Sequence, residues 1–177
     1  MSELWCWRHP RAQEQAGCFI GRTDLPVDPR KTKRLAHRIR TCVRQHGLPR
    51  HVWTSPLQRS REVGRWLRRW GFQVTADARL AEMDFGAWDG RPWADIPWSE
   101  VQAWEADLLH HRPGGGESLA QLAARVQSWL QAGDGQPRLA VTHGGWINAW
   151  LHLKPGSPAP DAARWPAAPP HGTLIRR

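Results

Sequence analysis

Four short strand-like runs in this 177-residue chain are separated by stretches with helical patterning, and that alternation constrains the fold more than any other feature. The runs occupy residues 4–7, 51–54, 72–75 and 138–142. Two strands joined through a helix of a dozen residues cannot form a hairpin, so successive strands must run parallel through crossovers. Helices then cover both faces. The predicted class is α/β, a three-layer α/β/α arrangement around a mostly parallel central sheet. The length suits one domain over residues 1–177, and no internal repeat is present.

Local signals place the elements. Leu4-Trp5-Cys6-Trp7 is an apolar run that reads as a buried strand, and Pro10 cannot continue it because it lacks an N–H. Over 29–46, Leu35, Ile39, Cys42 and Val43 share one helix face, and Gly47 with Pro49 stops the helix. Ser55-Pro56 marks the start of a second helix from Leu57, with Val63, Trp66, Leu67 and Trp70 inward. Residues 80–98 are irregular, and a helix is expected over 99–111. Ser118 and Gln121 form a capping box for a helix ending at Gly133. A helix over 146–152 follows the fourth strand. Residues 155–170 are a Pro/Ala-rich loop, and 173–175 read as a last strand.

Composition narrows the partners. No apolar run approaches the ~20 residues of a membrane helix, and Met1-Ser2-Glu3-Leu4-Trp5 carries no basic leader, so the expected location is the cytoplasm, with no membrane partner. Cys6, Cys18 and Cys42 are odd in number and lack CxxC spacing, which argues against a disulfide framework or a zinc site. The net charge is +9, and arginine supplies all but three of the 25 basic residues. Such a chain attracts anions: nucleic acid, acidic membrane or phosphorylated metabolites. No nucleic-acid motif is present. Most of the 13 tryptophans are expected in the core or along a cleft.

The chemistry points to the strand ends, where parallel sheets bind ligands. His9 follows the first strand and His143 the fourth; Arg8 precedes His9, and Arg59 sits in the first turn after the second strand. Paired guanidinium N–H groups grip phosphate oxygens. A neutral imidazole beside them can attack phosphorus, while positive charge offsets that of the transferring group. A carboxyl group must then protonate the leaving oxygen and later take a proton from water. Glu82 and Asp84 occupy the stretch where that group is expected.

Five segments recur in order: Arg8-His9; residues 55–60 (Ser-Pro-Leu-Gln-Arg-Ser); residues 80–90, with Glu82, Met83, Asp84, Phe85 and Gly86 at their centre; Gly115-Gly116-Glu117-Ser118; and Val141-Thr142-His143-Gly144-Gly145. Together they resemble the histidine phosphatase, phosphoglycerate-mutase-like, superfamily over about residues 3–152. The resemblance implies that His9 is the phosphorylated nucleophile, that Arg8, Arg59 and His143 complete the phosphate pocket, that Glu82 is the proton donor, and that Gly144 offers backbone to the phosphate. It implies neither metal nor cofactor, and a small phosphorylated metabolite as partner.

Within that superfamily, residues 17–27 and the pairing of Met83-Asp84-Phe85-Gly86 with Asp89-Gly90-Arg91-Pro92-Trp93 are most similar to α-ribazole-phosphate phosphatases of cobalamin assembly, with Thr23 as a substrate contact. Trp88, Trp93 and Trp98 lie on the stretch expected to flank the pocket, where they either stack on a planar base or pack ordinarily. One departure stands out: Arg8-His9 is followed by Pro10-Arg11-Ala12 where Gly-Glu-Thr is usual. Proline keeps its carbonyl, which can still accept a hydrogen from His9 Nδ1. The expected function is a metal-independent phosphomonoesterase working through a phosphohistidine. The alternatives are a broad-specificity sugar-phosphate or nucleotide phosphatase, and a non-catalytic phosphate-ester binder on the same fold. Both monomer and homodimer are compatible with the sequence.

Overall fold

Strands β1 (Leu4–Arg8) and β4 (Arg138–Thr142) lie side by side in parallel, in a register running from Leu4 opposite Arg138 to Arg8 opposite Thr142. The computed structural model describes residues 3–13, 17–154 and 160–177. Both strands are buried almost throughout, as expected of central strands in a parallel sheet covered on both faces. Strand β2 (His51–Thr54) flanks β4, β3 (Gln73–Ala76) flanks β2, and β5 (Leu174–Arg176) closes the other edge antiparallel to β1. The order is β3-β2-β4-β1-β5.

The alternation of side chains along β1 builds the two outer layers. Leu4 and Cys6 point to one face, where Leu122, Val126 and Trp129 of α4 (Leu119–Gln131) and Trp146 and Ile147 of α5 (Gly144–His152) cover them. Trp5 and Trp7 point to the other, against Leu35 and Ile39 of α1 (Pro29–His46) and Val63 and Leu67 of α2 (Gln58–Arg69). The three-layer architecture is therefore as the alternation predicts. Tryptophan fills the interior: Trp7, Trp88, Trp129 and Trp146 are among the largest fully buried side chains. The buried Arg138 guanidinium lies 3.5 Å from the centroid of Trp129 and 4.7 Å from that of Trp53, so cation–π contact offsets its desolvation.

Helix ends follow the local chemistry in part. Asp28 caps α1 by accepting from Arg30 N–H, and Gly47 takes the left-handed conformation that ends it. The Ser118–Gln121 capping box is present in full. Three helices differ from expectation at their boundaries. Helix α2 starts at Gln58, because Ser55 N–H still bonds Val141 O and keeps residue 55 with the sheet. Helix α3 spans Trp98–Ala106 and stops short of His111, because Asp107 turns the chain by accepting from His110 N–H. Helix α5 starts at Gly144, two residues early, directly after His143. In the Pro/Ala-rich segment, residues 155–159 lie outside the described residues. Residues 160–170 carry one 3-10 turn, Ala162–Arg164, and otherwise no regular structure. No helix among the described residues is long and apolar enough to cross a membrane.

Candidate active site

Because Arg8 pairs with Thr142, β1 and β4 end together, and the next residue of each leaves the sheet at the same edge. Those residues are His9 and His143. His9 N–H donates to Thr142 O at 2.9 Å, and the two imidazole centroids are 4.9 Å apart. Both side chains are buried.

Each ring has its tautomer set by a different partner. His9 Nδ1 lies 2.7 Å from Pro10 O. A carbonyl only accepts, so Nδ1 carries the hydrogen and Nε2 keeps its lone pair. The proline therefore serves through its carbonyl as anticipated. His143 is the reverse case: Arg59 Nε donates to its Nδ1 at 3.2 Å, so the hydrogen sits on Nε2. That N–H is buried without a hydrogen-bond partner among the described residues. A buried unpaired donor costs about 1–3 kcal/mol, so such a group in a native fold calls for an acceptor.

Electrostatics keep both rings neutral near pH 7. Burial pushes the His9 pKa well below the usual imidazole value, the Arg59 charge adds to this, and the Pro10 hydrogen bond opposes it. His143 is lowered in the same direction by burial, then by His9 and Arg59. One neutral imidazole thus offers a nucleophilic lone pair, and its neighbour offers a hydrogen bond.

Arg59 is only 1% exposed, although it sits in the first turn of α2. Besides His143, it donates to Thr23 O at 2.8 Å and to Gly21 O at 2.6 Å. It therefore ties the loop after β1 to the fourth strand's histidine. Arg8 donates from Nη1 to Pro169 O at 2.6 Å. A Cβ added to Gly144 would lie 2.6 Å from Ala168 Cβ and 3.2 Å from Arg8 Cζ. The missing side chain at 144 thus makes room for Arg8 and for the chain near the C-terminus.

Glu82 enters from the segment after β3 and reaches the start of α5. Its Oε1 accepts from Met83 N–H at 3.0 Å and Trp146 N–H at 3.2 Å, and its Oε2 accepts from Gly145 N–H at 3.1 Å. The N-terminus of α5 thus holds the carboxylate. Behind it, Arg125 of α4 donates to the carbonyls of Arg79, Ala81 and Glu82 and pairs with Glu117 at 2.7 Å. Thr142 Oγ1 donates to Leu80 O at 2.6 Å. Asp84 is spent locally: its carboxylate accepts from Gly86 N–H, and its carbonyl accepts from Glu117 N–H.

Some expected roles shift. The Thr23 hydroxyl donates to Asp89 Oδ1 at 2.7 Å, and Asp89 also accepts from the backbone N–H groups of Gly21, Arg22 and Thr23. Thr23 thus meets the site through its carbonyl on Arg59, with its hydroxyl committed elsewhere. Trp88 is core, with its Nε1 on Glu100, and Trp93 packs on Phe19 at a centroid distance of 3.7 Å. Trp93 and Trp98 remain 49% and 65% exposed.

One residue at the site was missed. His171 Nδ1 lies 3.2 Å from His9 O, and its ring centroid is 5.1 Å from that of His9. The reason is topological. A final strand antiparallel to β1 begins where β1 ends, so the residues before it must fall beside His9. Among the described residues, no cluster of His, Cys, Asp or Glu is arranged to hold a metal ion.

Comparison with known proteins shows the family and the fold. The family model for the histidine phosphatase superfamily, branch 1, matches residues 4–176. A probable phosphoglycerate mutase of Yersinia enterocolitica is 31% identical over 174 residues, covering 93% of this chain and 79% of the relative. A putative phosphoserine phosphatase of Hydrogenobacter thermophilus is 26% identical, over 88% of this chain and 80% of that protein. Among solved structures, a Thermus thermophilus protein, 28% identical, superposes with a TM-score of 0.72, covering 98% of this chain and 92% of the other.

Proposed function

The chain belongs to the histidine phosphatase superfamily, branch 1, and from that premise and the paired imidazoles we propose that it is a metal-independent phosphomonoesterase acting through a phosphohistidine on His9. The observation that carries this is the opposite polarity of two adjacent neutral rings. His9 has its hydrogen on Nδ1, and His143 has its hydrogen on a buried, unpartnered Nε2.

The chemistry runs in two displacements. His9 Nε2 attacks phosphorus as the ester P–O bond breaks, and the electron pair leaves on the alcohol oxygen. Glu82 supplies the proton to that oxygen. The His143 Nε2–H and the positive charge of Arg8 and Arg59 stabilise the transferring group. Water then attacks phosphorus, its proton passes to the Glu82 carboxylate, and the N–P electron pair returns to His9. The proton given to the alcohol oxygen is replaced by the one taken from water, so the cycle closes with Glu82 unchanged.

The substrate is a small phosphorylated metabolite, and α-ribazole 5'-phosphate is the proposed one. The supporting observation is that Asp89 binds residues 21–23 through four hydrogen bonds, joining the two segments that carry the α-ribazole-phosphatase resemblance. The similarity to a probable phosphoglycerate mutase favours a second reading, in which a substrate hydroxyl replaces water as acceptor.

Hydrolysis of p-nitrophenyl phosphate in the presence of a chelator tests the reaction, and a panel of α-ribazole 5'-phosphate, 3-phosphoglycerate and phosphoserine tests the substrate. The expected result is chelator-insensitive release of phosphate, fastest with α-ribazole 5'-phosphate and abolished by His9→Ala. Full activity in folded His9→Ala would overturn the nucleophile, and isomerised phosphoglycerate without phosphate release would favour the mutase.

A further inference from the structure

The segment from Pro169 to Thr173 continues the antiparallel pairing of β5 with β1 and adds side-chain contacts to the Arg8–His9 dipeptide. Pro169 O accepts from Arg8 Nη1, and Thr173 O accepts from Arg8 N–H at 3.1 Å. Gly172 N–H donates to Arg8 O at 3.0 Å and to His9 O at 3.3 Å. His171 Nδ1 is 3.2 Å from His9 O. Since that oxygen only accepts, His171 carries its hydrogen on Nδ1 and donates. The same ring packs on the His9 ring at 5.1 Å with the planes 57° apart.

His9 is therefore gripped at three points. Pro10 O fixes the rotation of the ring through Nδ1, His143 stands beside the ring, and His171 holds both the ring and the main-chain carbonyl behind it. The Pro10 bond alone does not fix the ring's position, because Pro10 moves with His9. Main-chain bonds from Gly172 and Thr173 anchor the dipeptide to β5's end of the sheet, and His171, 162 residues from His9 in the chain, adds a side-chain bond to the His9 carbonyl together with the ring contact.

We propose that His171 is a positioning residue for the phosphoryl-accepting imidazole, holding the His9 ring at in-line distance through the His9 carbonyl and by ring packing. It touches no reacting atom in this role. The proposal rests on the phosphohistidine reading above, and its test is built so that the two can fail separately.

The variants are His171→Phe, which keeps a planar ring and removes the donor, and His171→Asn, whose side-chain amide nitrogen falls where Nδ1 was. Misplacing a nucleophile by about 1 Å costs on the order of a hundredfold. His171→Phe should therefore lower kcat for p-nitrophenyl phosphate by about ten- to a hundredfold, with KM changed by less than about threefold. His171→Asn should recover most of kcat. Thermal melts establish folding. If the phenylalanine variant does not fold, His171→Gln, whose amide lies farther out than Nδ1, should show the same loss. Independently of turnover, 15N spectra should show the His9 Nδ1 hydrogen, held by Pro10 O, exchanging slowly with solvent in wild type and in His171→Asn, and at least about tenfold faster in His171→Phe, whose His9 ring is less firmly held. Equal kcat in wild type and folded His171→Phe, or His171→Asn no better than His171→Phe, would overturn the proposal. If the wild-type protein forms no phosphoenzyme, the phosphatase reading falls, and the nitrogen spectra alone decide the positioning role: an unchanged exchange rate of the His9 Nδ1 hydrogen in His171→Phe rejects it.

Discussion

Arg59 Nε donates to His143 Nδ1 at 3.2 Å, and this bond turns His143 into a donor toward the space beside His9. Reversing it would turn a lone pair toward that space instead. The guanidinium thus contributes both charge and the tautomer of its neighbour.

Arg59→Lys separates these contributions, since lysine keeps the charge and loses the fixed fork. A lysine ammonium cannot hold Thr23 O, Gly21 O and His143 together as Arg59 does. The expected loss in kcat is about a hundredfold or more, the scale of removing one preorganised donor. Steady-state kinetics on p-nitrophenyl phosphate measure it, and a loss below about threefold would show that charge alone suffices.

Much of this arrangement is legible in the sequence itself. Arg8, His9 and His143 stand at the ends of runs whose apolar character marks them as central strands, and parallel strands end on the same side. The start of α2 was misjudged by one residue because Ser55 and Pro56 look like a cap, yet the sheet retains Ser55 through Val141. His171 was illegible because its place depends on the direction of an edge strand, and nothing in Leu174-Ile175-Arg176 encodes direction. The role of Asp89 is not legible locally, because its partners lie 66 to 68 residues away.

Glu82→Gln tests the carboxyl group. The amide cannot deliver a proton as an acid does, and general acid–base help is worth about 10²–10⁴-fold. p-Nitrophenolate leaves well unaided, so the first displacement should survive better with that ester than with an alkyl phosphate. The second displacement still lacks its base. Phosphohistidine should therefore accumulate with p-nitrophenyl phosphate, detected as an acid-labile, base-stable label. Equal losses on both esters with no trapped intermediate would remove Glu82 from proton transfer.

The buried imidazoles predict a pH dependence of stability. Their folded pKa values lie below the unfolded value of about 6.5. Between the two, the unfolded chain binds more protons, so stability rises with pH across that window and levels off above about 6.5. Lowering the pH from 7 to 5 should lower the melting temperature, and the fall should be smaller in a folded His9→Ala variant. A melting temperature independent of pH over that range would contradict neutral burial of both rings.

Gly144→Ala asks whether the site tolerates one methyl group. The added Cβ would stand 2.6 Å from Ala168 Cβ, well inside contact distance, and 3.2 Å from Arg8 Cζ. Position 144 has no positive φ, so the backbone itself accepts alanine and the cost is purely steric. Overpacking of this kind costs about 1–3 kcal/mol. The Ala168 contact can relax only if the chain there shifts, and Arg8, whose Nη1 bonds the neighbouring Pro169 O, would shift with it and take its charge from the pocket. The variant should therefore lose more activity than stability. Ala168→Gly removes the nearer obstacle, so the double variant G144A/A168G should regain stability relative to G144A alone. A double-mutant cycle of melting and kcat reads this coupling, which for residues in contact is about 0.5–3 kcal/mol. Additive effects would mean that the segment near Ala168 does not press on the start of α5 in solution.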